Sequence, residues 1–253
     1  MNLEGLSGSV AIVTGAAGAG IGQAAARAFA REGVNVVVSD AHPKRPFVVA
    51  DELKSNFGVE TLGLQCDVSN EAAVKEMVDK ALQHFGKIDI LFNNAGTNRV
   101  SHSWEMSSQD WHLVIDVNLS GTFYCTRAAL TAMMKQRKGV IINMSSIAPR
   151  LHSPDNGCAY CAAKAGIEAF TKELAREMGQ YNIRVNAIAP SIIWNPFMSH
   201  WPGYRQEYFD EMRRQTPLGK FGRLQDVAEL IIFLASDQAS YISGAILDVT
   251  GGL

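Results

Sequence analysis

Short apolar runs rich in β-branched residues alternate with helix-like segments along nearly the whole chain. Residues 9–15 (SVAIVTG) and 34–40 (VNVVVSD) are two such runs, and residues 22–33 between them repeat alanine and phenylalanine at helical spacing. Because the runs are apolar throughout, they predict strands buried on both faces, as in a parallel sheet covered by helices. Runs of this type lie at residues 9–15, 34–40, 61–67, 88–96, 139–146, 183–191 and 244–252.

The segments between these runs predict helices packed within a single domain. The clearest helical patterns lie at residues 22–33, 70–85, 107–136, 158–178 and 226–236. No linker, internal repeat or low-complexity stretch separates the strands from the helices. We therefore predict one doubly wound α/β domain over residues 1–253, with a seven-stranded parallel sheet and helices on both of its faces.

The composition favours a globular protein without a nucleic-acid or membrane partner. Of the 253 residues, 47% are hydrophobic and 19% are charged, so we expect a sizeable core and little disorder. The formal net charge of −2 offers no basic surface to nucleic acid or anionic lipid. The first residues lack the pattern of a signal peptide, and no apolar run approaches the roughly 20 residues that span a bilayer. We expect a cytoplasmic protein.

The four cysteines and six histidines show no metal-site pattern. Cys158 and Cys161 form a single C-x-x-C, and one such pair does not complete a zinc site. The pair has two interpretations: a redox-active dithiol, or two small thiols packed at the start of a helix. The histidines have no paired ligand spacing. We therefore expect no bound metal, and we favour packed thiols in a reducing compartment.

The first predicted strand runs into a glycine-rich loop that leads directly into a helix. Residues 14–24 read TGAAGAGIGQA. Glycines let the backbone approach a ligand closely, and the free N–H groups and partial positive charge at a helix start attract a pyrophosphate. A tight turn without a ligand is the alternative. The position of the loop, after the first strand and before a helix, is typical of the dinucleotide-binding Rossmann fold.

An acidic residue ends the second predicted strand. Asp40 lies about 20 residues beyond the glycine loop, where a carboxylate accepts hydrogen bonds from both ribose hydroxyls of an adenosine. Because a carboxylate repels a 2′-phosphate, Asp40 favours NAD over NADP as the cofactor. Lys44 and Arg45 follow closely and are the residues that would favour NADP instead. The alternative for Asp40 is a turn residue that contacts no ligand.

Four ordered blocks make the chain resemble the short-chain dehydrogenase/reductase family over nearly its whole length. They are TGAAGAGIG at 14–22, NNAG at 93–96, Asn118 within DVNLSG, and the Ser–Tyr–Lys segment at 145–164. The stretch at 217–252 is also similar to the family's C-terminal pattern. The resemblance implies an oxidoreductase that binds a nicotinamide dinucleotide. The predicted cofactor-binding residues are Asp40 and, by this resemblance, Gly15, Gly20, Ile21, Gly22, Asp67, Val68, Asn94, Ala95, Gly96, Tyr160, Lys164, Pro190, Ile193 and Asn195.

Tyr160 and Lys164 are four residues apart in a predicted helix, so their side chains share one face. A free tyrosine has a pKa of about 10, too high for a base at neutral pH, and a nearby lysine cation favours the phenolate. We therefore predict that Tyr160 is the general acid/base and that Lys164 lowers its pKa. The resemblance implies that Lys164 also holds the nicotinamide ribose. It further implies that Ser146 hydrogen-bonds the substrate oxygen and that Asn118 holds a water linking Lys164 to solvent.

The sequence departs from the family pattern at several of these positions. One additional residue lies between Gly15 and Gly20, which we expect to reshape the turn without abolishing cofactor binding. The loop after the predicted catalytic serine is also one residue longer, so Ser145 rivals Ser146 for that role, and we favour Ser146. Asn195 replaces the threonine that usually contacts the nicotinamide, and its side chain can still bond a carboxamide.

An aromatic segment at about 191–215 follows the sixth predicted strand, where the resemblance places a lid over the substrate. Aromatic lids bury large apolar areas, which suits a bulky hydrophobic substrate. The alternative is that these rings pack inside the lid or at a subunit interface. The predicted substrate-binding residues are Ser146, Tyr160, Trp194, Phe197 and Trp201.

The sequence thus predicts an NAD-dependent secondary alcohol dehydrogenase or ketone reductase that acts on a hydrophobic, cyclic or steroid-like small molecule. One alternative is a 3-oxoacyl reductase or 3-hydroxyacyl dehydrogenase acting on an acyl carrier protein (ACP) or coenzyme A (CoA) thioester. The alternative from another class is a catalytically idle NAD-binding sensor or scaffold. The complete set of proton-handling residues favours an enzyme. The resemblance also implies a homotetramer, with the helices near 107–136 and 158–178 paired across two-fold axes.

Overall fold

A computed structural model of the chain describes residues 3–151, 156–195, 198 and 206–253. Its strands are β1 (Val10–Thr14), β2 (Asn35–Asp40), β3 (Thr61–Gln65), β4 (Ile90–Asn93), β5 (Gly139–Met144), β6 (Ile183–Pro190), β7 (Ile193–Trp194), β8 (Gly222–Arg223) and β9 (Ile246–Val249). Seven of them form one sheet in the order β3-β2-β1-β4-β5-β6-β9, and all neighbours pair in parallel. The predicted seven-stranded parallel sheet is therefore confirmed.

Helices cover both faces of this sheet. They are α1 (Ile21–Arg31), α2 (Arg45–Phe57), α3 (Glu71–Phe85), α4 (Ser108–Ile115), α5 (Gly121–Gln136), α6 (Cys158–Met178), α7 (Gln206–Gln215) and α8 (Leu224–Ala235). Local signals set several of their ends. The Asn70 side chain accepts the N–H of Ala73 at the start of α3, and Gly58 ends α2 in the left-handed conformation.

Two hydrophobic cores lie on opposite faces of the sheet. One contains Phe29 of α1 and Ile231 of α8. The other contains Met77 of α3 and Met133 of α5. Within β2, Val36 and Val38 belong to the first core and Val37 to the second. Successive strand residues therefore enter different cores, which is why the strand sequences are apolar at every position.

The strand order places the candidate site. After β1 the chain adds β2 and β3 on one side of the sheet, and β4 then returns to pair with the other side of β1. A crevice opens at such a reversal, outside the carboxyl ends of the strands. The loops that follow β1, β4, β5 and β6 meet at this edge.

Two short strands and α7 lie beyond the end of β6. The strands β7 and β8 pair in parallel, with Ile193 opposite Gly222 and Trp194 opposite Arg223. The first of these strands lies near the start of the predicted lid, and the second lies beyond its end. In the described part of the chain, no helix combines the length and the apolar character needed to cross a membrane.

Candidate active site

The glycine loop between β1 and α1 packs closely against the segment that follows β4. Gly15 has a φ of +61°, and a Cβ at this position would lie 2.8 Å from Cα of Ala95. A Cβ at Gly22 would lie 2.4 Å from the carbonyl oxygen of Gly15 and 2.4 Å from Nδ2 of Asn94. Both positions therefore require glycine unless the backbone shifts.

The other side of the glycine loop is open. A Cβ at Gly18 or at Gly20 would meet no atom within 4 Å. Gly20 is the N-cap of α1, which Ile21 begins, and no side chain caps this helix. Uncapped backbone N–H groups at a helix start bind anions, so the loop has the form that a dinucleotide pyrophosphate needs.

Asp40, at the end of β2, joins the glycine loop to the turn that follows β2. One oxygen of its carboxylate accepts the backbone N–H of Ala17 at 3.0 Å, and the other accepts that of His42 at 2.9 Å. These bonds fix the carboxylate beside the glycine loop, where the sequence predicts the adenosine ribose. Lys44 lies exposed just before α2, and Arg45 lies exposed as its first residue.

Thr14, which the sequence analysis missed, positions the predicted nucleotide-binding segment after β4. Its Oγ1 accepts the backbone N–H of Asn94 at 3.0 Å and that of Ala95 at 3.1 Å. The Asn94 side chain in turn donates to the carbonyl oxygens of Thr14 and Gly15, at 2.9 and 3.1 Å. The missed signal is a threonine at the last position of a strand, directly before a glycine. The hydroxyl of this threonine reaches the segment that follows the neighbouring strand.

Two of the predicted cofactor-binding residues, Asp67 and Val68, follow β3 at the same edge of the sheet. Asp67 is exposed, and its carboxylate accepts the backbone N–H and the hydroxyl of Ser69 at 3.0 and 2.7 Å. Val68 is buried, and a Cβ added at Gly121 of α5 would lie 2.8 Å from its side chain. An exposed carboxylate on a rigid turn is suited to accept hydrogen bonds from a base.

Tyr160 and Lys164 occupy the first two turns of α6, as predicted. Nζ of Lys164 lies 5.3 Å from the centroid of the Tyr160 ring. It donates to the carbonyl oxygen of Met144, at the end of β5, at 2.7 Å. Lys164 is buried, and Tyr160 is half-buried.

Burial controls the pKa values of both groups. It raises the pKa of Tyr160, and the hydrogen bond with Ser146 only partly opposes this effect. Burial also lowers the pKa of Lys164 to about 7, because the cation loses its hydration inside the protein. The effect of a Lys164 cation on the Tyr160 pKa stays a prediction, and burial acts against it.

The two neighbouring serines have different surroundings. Ser146 lies close enough to Tyr160 to lower the pKa of the tyrosine, and its Oγ accepts the backbone N–H of Ala148 at 3.1 Å. Ser145 is buried, with Oγ 3.0 Å from Oε1 of Glu168 and 3.3 Å from the carbonyl oxygen of Lys164. Of the two serines, Ser146 is thus the one beside Tyr160.

Glu168 is a second residue that the sequence analysis missed. It lies one turn beyond Lys164, and its carboxylate is 3.4 Å from the guanidinium of Arg150 in the loop that follows Ser146. Arg150 also pairs with Asp248 of β9 at 2.7 Å. The repeat of Tyr160, Lys164 and Glu168 every four residues along α6 is the signal that points to it.

Asn118 lies where the sequence predicts an uninterrupted helix at 107–136. The structure instead joins α4 to α5 through a π-helical turn over Asp116–Ser120. The buried Nδ2 of Asn118 donates to the carbonyl oxygens of Thr97 and Val114, at 2.7 and 2.8 Å. Its Oδ1 is buried without a hydrogen-bond partner among the described residues. Such π turns are frequent at functional sites.

Gly96 lies between Asn118 and Lys164. A Cβ at this position would lie 2.7 Å from Oδ1 of Asn118 and 3.7 Å from Nζ of Lys164. The unpaired amide oxygen and the buried amine therefore face the same small region. A water or a ligand hydroxyl at this point would satisfy both groups.

Three more of the predicted cofactor-binding residues, Pro190, Ile193 and Asn195, lie at the end of β6 or just after it. Pro190 ends this strand, and Ile193 is buried in β7. The carbonyl oxygen of Asn195 accepts the backbone N–H of Met198 at 3.2 Å. Ser191, where the family usually has glycine, donates its backbone N–H to the carbonyl oxygen of Val249 at 3.1 Å. The Ser191 bond ties the end of β6 to β9.

Trp194 belongs to an aromatic cluster of the lid. Its ring lies parallel to that of Phe221, with centroids 6.2 Å apart, and meets the edge of Phe209 at 6.3 Å. The side chain remains 41% exposed. Trp194 therefore packs against Phe209 and Phe221 and remains partly exposed, whereas Phe197 and Trp201 lie outside the described residues.

Acid–base groups, and not metal ligands, characterise this edge of the sheet. Among the residues that the structure describes, no group of three or more His, Cys, Asp or Glu side chains is placed to hold a metal ion. A hydroxyl pair, a buried amine and an amide converge beside an open glycine loop. Such an arrangement can bind a dinucleotide and handle a proton at a substrate oxygen.

Comparison with known proteins gives matches over nearly the full chain. A family model described as enoyl-(acyl carrier protein) reductase matches residues 15–253. The 3-oxoacyl-[acyl-carrier-protein] reductase FabG of Thermotoga maritima is 39% identical over 249 residues, covering 98% of each chain. Subunit BbsD of the (2S)-[(R)-hydroxy(phenyl)methyl]succinyl-CoA dehydrogenase of Thauera aromatica is 38% identical, covering 98% of this chain and 97% of its own.

A solved structure shows the same architecture. A protein from Sinorhizobium meliloti 1021, described as a short-chain alcohol dehydrogenase, superposes with a TM-score of 0.91 at 33% identity. The superposition covers 98% of this chain and 96% of that one. From the ordered motifs, the parallel sheet and these matches, the chain belongs to the short-chain dehydrogenase/reductase family of nicotinamide-dependent oxidoreductases that act on CH–OH groups.

Proposed function

We propose that the protein interconverts a 3-oxoacyl thioester and the corresponding 3-hydroxyacyl thioester, with NAD(H) as the cofactor. The observation that carries the proposal is the position of Ser146 beside Tyr160 at the carboxyl edge of the sheet, close enough to lower the pKa of the tyrosine. The names of two relatives give the substrate class. One is a reductase of a 3-oxoacyl carrier-protein thioester, and the other is a dehydrogenase of a hydroxyl-bearing CoA thioester.

The chemistry assigns a separate task to each side chain. A bound nicotinamide supplies or accepts the hydride. The Ser146 hydroxyl donates a hydrogen bond to the substrate carbonyl oxygen and stabilises the charge that develops there. Tyr160 donates its phenolic proton to that oxygen during reduction and takes the proton back during oxidation.

The pKa of Tyr160 favours the reductive direction. Burial raises this pKa, so at neutral pH the phenol holds its proton and is ready to donate it. The proton must then be replaced from solvent. We propose that Lys164, whose pKa is lowered to about 7, and a water held by the unpaired Oδ1 of Asn118 return it to Tyr160.

The position of Asp40 supports NAD as the preferred cofactor. Its carboxylate is held against the glycine loop by the backbone of Ala17 and His42, so it cannot easily withdraw from a bound ribose. A 2′-phosphate at this place would meet a fixed negative charge. Lys44 and Arg45 are exposed at the start of α2 and compete with this preference.

The aromatic cluster of the lid favours a second candidate substrate, a bulky hydrophobic secondary alcohol or ketone. Trp194 keeps 41% of its surface exposed beside Phe209 and Phe221. An exposed aromatic face of this size suits a ring-bearing molecule. The substrate named for BbsD carries a phenyl ring and a CoA thioester together, so the two candidates can share one pocket.

The surface of α4 and α5 supports the proposed homotetramer. Trp111 of α4 and Phe123 of α5 remain 39% and 40% exposed, and the Phe123 ring meets Phe170 of α6 at 6.2 Å. Large exposed apolar side chains of this kind mark association surfaces. The mass in solution, measured by light scattering at micromolar concentration, tests the proposal, and a monomer would contradict it.

An enzyme assay tests the proposed substrate and cofactor together. Purified protein is mixed with NADH or NADPH and with acetoacetyl-CoA, acetoacetyl-ACP or a cyclic ketone, and loss of reduced nicotinamide is followed by absorbance. We expect the fastest turnover with NADH and a thioester. The matched control is Tyr160→Phe, which keeps the ring and removes only the hydroxyl. Preference for the cyclic ketone would support the second candidate, and full activity of Tyr160→Phe would refute the proton-transfer step.

A further inference from the structure

Two cysteines flank Tyr160 in the first turns of α6. Cys158 is the first residue of this helix and Cys161 is the fourth. Both are free thiols of intermediate exposure, whereas Cys66 and Cys125 are buried. The proposed reaction uses neither thiol of the pair, so the C-x-x-C needs another explanation.

Each of the two thiols contacts a different loop at the candidate active site. Sγ of Cys161 lies 3.5 Å from the carbonyl oxygen of Ala148, two residues after Ser146. Sγ of Cys158 lies 3.5 Å from Sδ of Met106, in the loop that follows β4. The two sulfurs therefore help to hold both loops against the start of α6.

A disulfide between these cysteines would change the turn that carries Tyr160. Residues three apart on a helix have Cβ atoms about 5–6 Å apart, whereas a disulfide needs about 3.5–4.5 Å. The Cβ atoms must therefore approach by about 1–2 Å. Tyr160 lies between the two cysteines and moves with this turn. The new bond would also withdraw both sulfurs from Ala148 and Met106.

We propose that Cys158 and Cys161 form a redox-modification site, in which oxidation by a small disulfide closes an intramolecular disulfide, displaces Tyr160 and inactivates the enzyme. The site itself goes beyond the proposed function, and its effect on turnover rests on the proposed role of Tyr160. Disulfides of this transient, sensing kind are the ones found in reducing compartments.

The oxidation is a thiol–disulfide exchange in two steps. The thiolate of Cys158 attacks one sulfur of the small disulfide, which forms a mixed disulfide and releases one reduced thiol. Cys161 then attacks the Cys158 sulfur, which closes the protein disulfide and releases the second reduced thiol. The two thiol protons end on the two released thiols, and the small disulfide takes both electrons. Burial raises the pKa of Cys161, so we assign the first attack to Cys158.

The other two cysteines provide internal controls. Burial raises the pKa of Cys66 to about 11 and raises that of Cys125 still further. A buried thiol that keeps its proton is a poor nucleophile and is inaccessible to a small disulfide. Neither Cys66 nor Cys125 is therefore expected to react while the protein is folded.

Mass spectrometry tests the site without reference to any substrate. The full-length protein is incubated with oxidised glutathione, its free thiols are alkylated, and the peptide that contains both cysteines is weighed. We expect this peptide to lose two hydrogens and to resist alkylation, and we expect dithiothreitol to reverse both changes. Two alkylated cysteines after this treatment would overturn the proposal, whether or not the proposed substrate is correct.

Activity measurements test the consequence of the disulfide. A displacement of about 1 Å at a catalytic group can cost on the order of 100-fold in rate, so we expect a loss of that size, restored by dithiothreitol. The double variant Cys158→Ala/Cys161→Ala should not respond to oxidised glutathione, whereas the matched control Cys66→Ala should respond like the wild type. A disulfide that leaves turnover unchanged would overturn the proposal, as would inactivation that persists in the double variant.

Discussion

Adding one methyl group at two positions of the glycine loop should separate folding from nucleotide binding. In Gly22→Ala the new Cβ would lie 2.4 Å from the carbonyl oxygen of Gly15, a backbone atom that cannot move aside alone. In Gly20→Ala the new Cβ would meet no protein atom within 4 Å, and the φ of −117° suits any residue. The first change therefore strains the fold, whereas the second fills only the space above the loop.

The structure gives the expected size of each effect. Overpacking costs about 1–3 kcal/mol, and a contact with backbone at 2.4 Å belongs at the upper end. Because Gly22 is inside α1, the higher helix propensity of alanine offsets up to about 1 kcal/mol of this cost. A net loss of about 2 kcal/mol should lower the Tm by about 4–8 °C. Gly20→Ala should leave the Tm unchanged and weaken NADH binding by about tenfold, or about 1.4 kcal/mol.

Two measurements on each variant check this reasoning. Thermal unfolding followed by circular dichroism reports stability, and quenching of tryptophan fluorescence by NADH reports binding. Gly18→Ala is the matched control, because its Cβ also meets no atom within 4 Å while it lies farther from the start of α1. If Gly20→Ala lowered the Tm as much as Gly22→Ala, or bound NADH as tightly as the wild type, the described geometry of the loop would be refuted.

Three further predictions concern individual side chains. Ser146→Ala should lower kcat/KM by about 100–1,000-fold with the best substrate, whereas Ser145→Ala should cost about 1 kcal/mol of stability in urea unfolding and spare turnover. Asp40→Asn should raise NADPH affinity relative to NADH at least tenfold in fluorescence titrations, since two charges about 4 Å apart interact by on the order of 4 kcal/mol at a protein surface. Between the lowered native pKa of Lys164, about 7, and its ordinary value of 10.5, only the unfolded chain keeps the proton, so wild-type stability should rise with pH in this window. The unfolding free energy should rise by at most about 1.4 kcal/mol per pH unit. Urea unfolding at pH 7 and pH 9 should show this rise in the wild type and not in Lys164→Met. An equal change in unfolding free energy in both proteins would contradict the lowered pKa of Lys164.

The fold could be predicted because the apolar pattern of its strands is local and recurs along the chain. Val36, Val37 and Val38 are apolar in succession since the sheet has a core on each face, and the same pattern recurs in the other strands. A helix between successive strands then leaves little choice but a parallel sheet. The ordered motifs placed the candidate site by the same logic, because the carboxyl ends of parallel strands share one edge.

Side-chain partners within the site were less predictable, because they depend on how separate segments meet. Ser145 and Ser146 are adjacent in sequence, and only the packing of β5 against α6 turns one toward Glu168 and the other toward Tyr160. The π turn that carries Asn118 leaves no mark in the hydrophobic pattern of residues 107–136, since one additional residue in a turn barely changes it.

The pKa values of Tyr160 and Lys164 also depend on how separate segments meet. The spacing of Tyr160 and Lys164 places them on one helix face, and from spacing alone the lysine should act as a cation. The structure buries Lys164 against the carbonyl oxygen of Met144, and this burial lowers the pKa of the lysine to about 7. Burial raises the pKa of Tyr160 at the same time, so the surroundings supplied by other segments act against the effect that the spacing predicts.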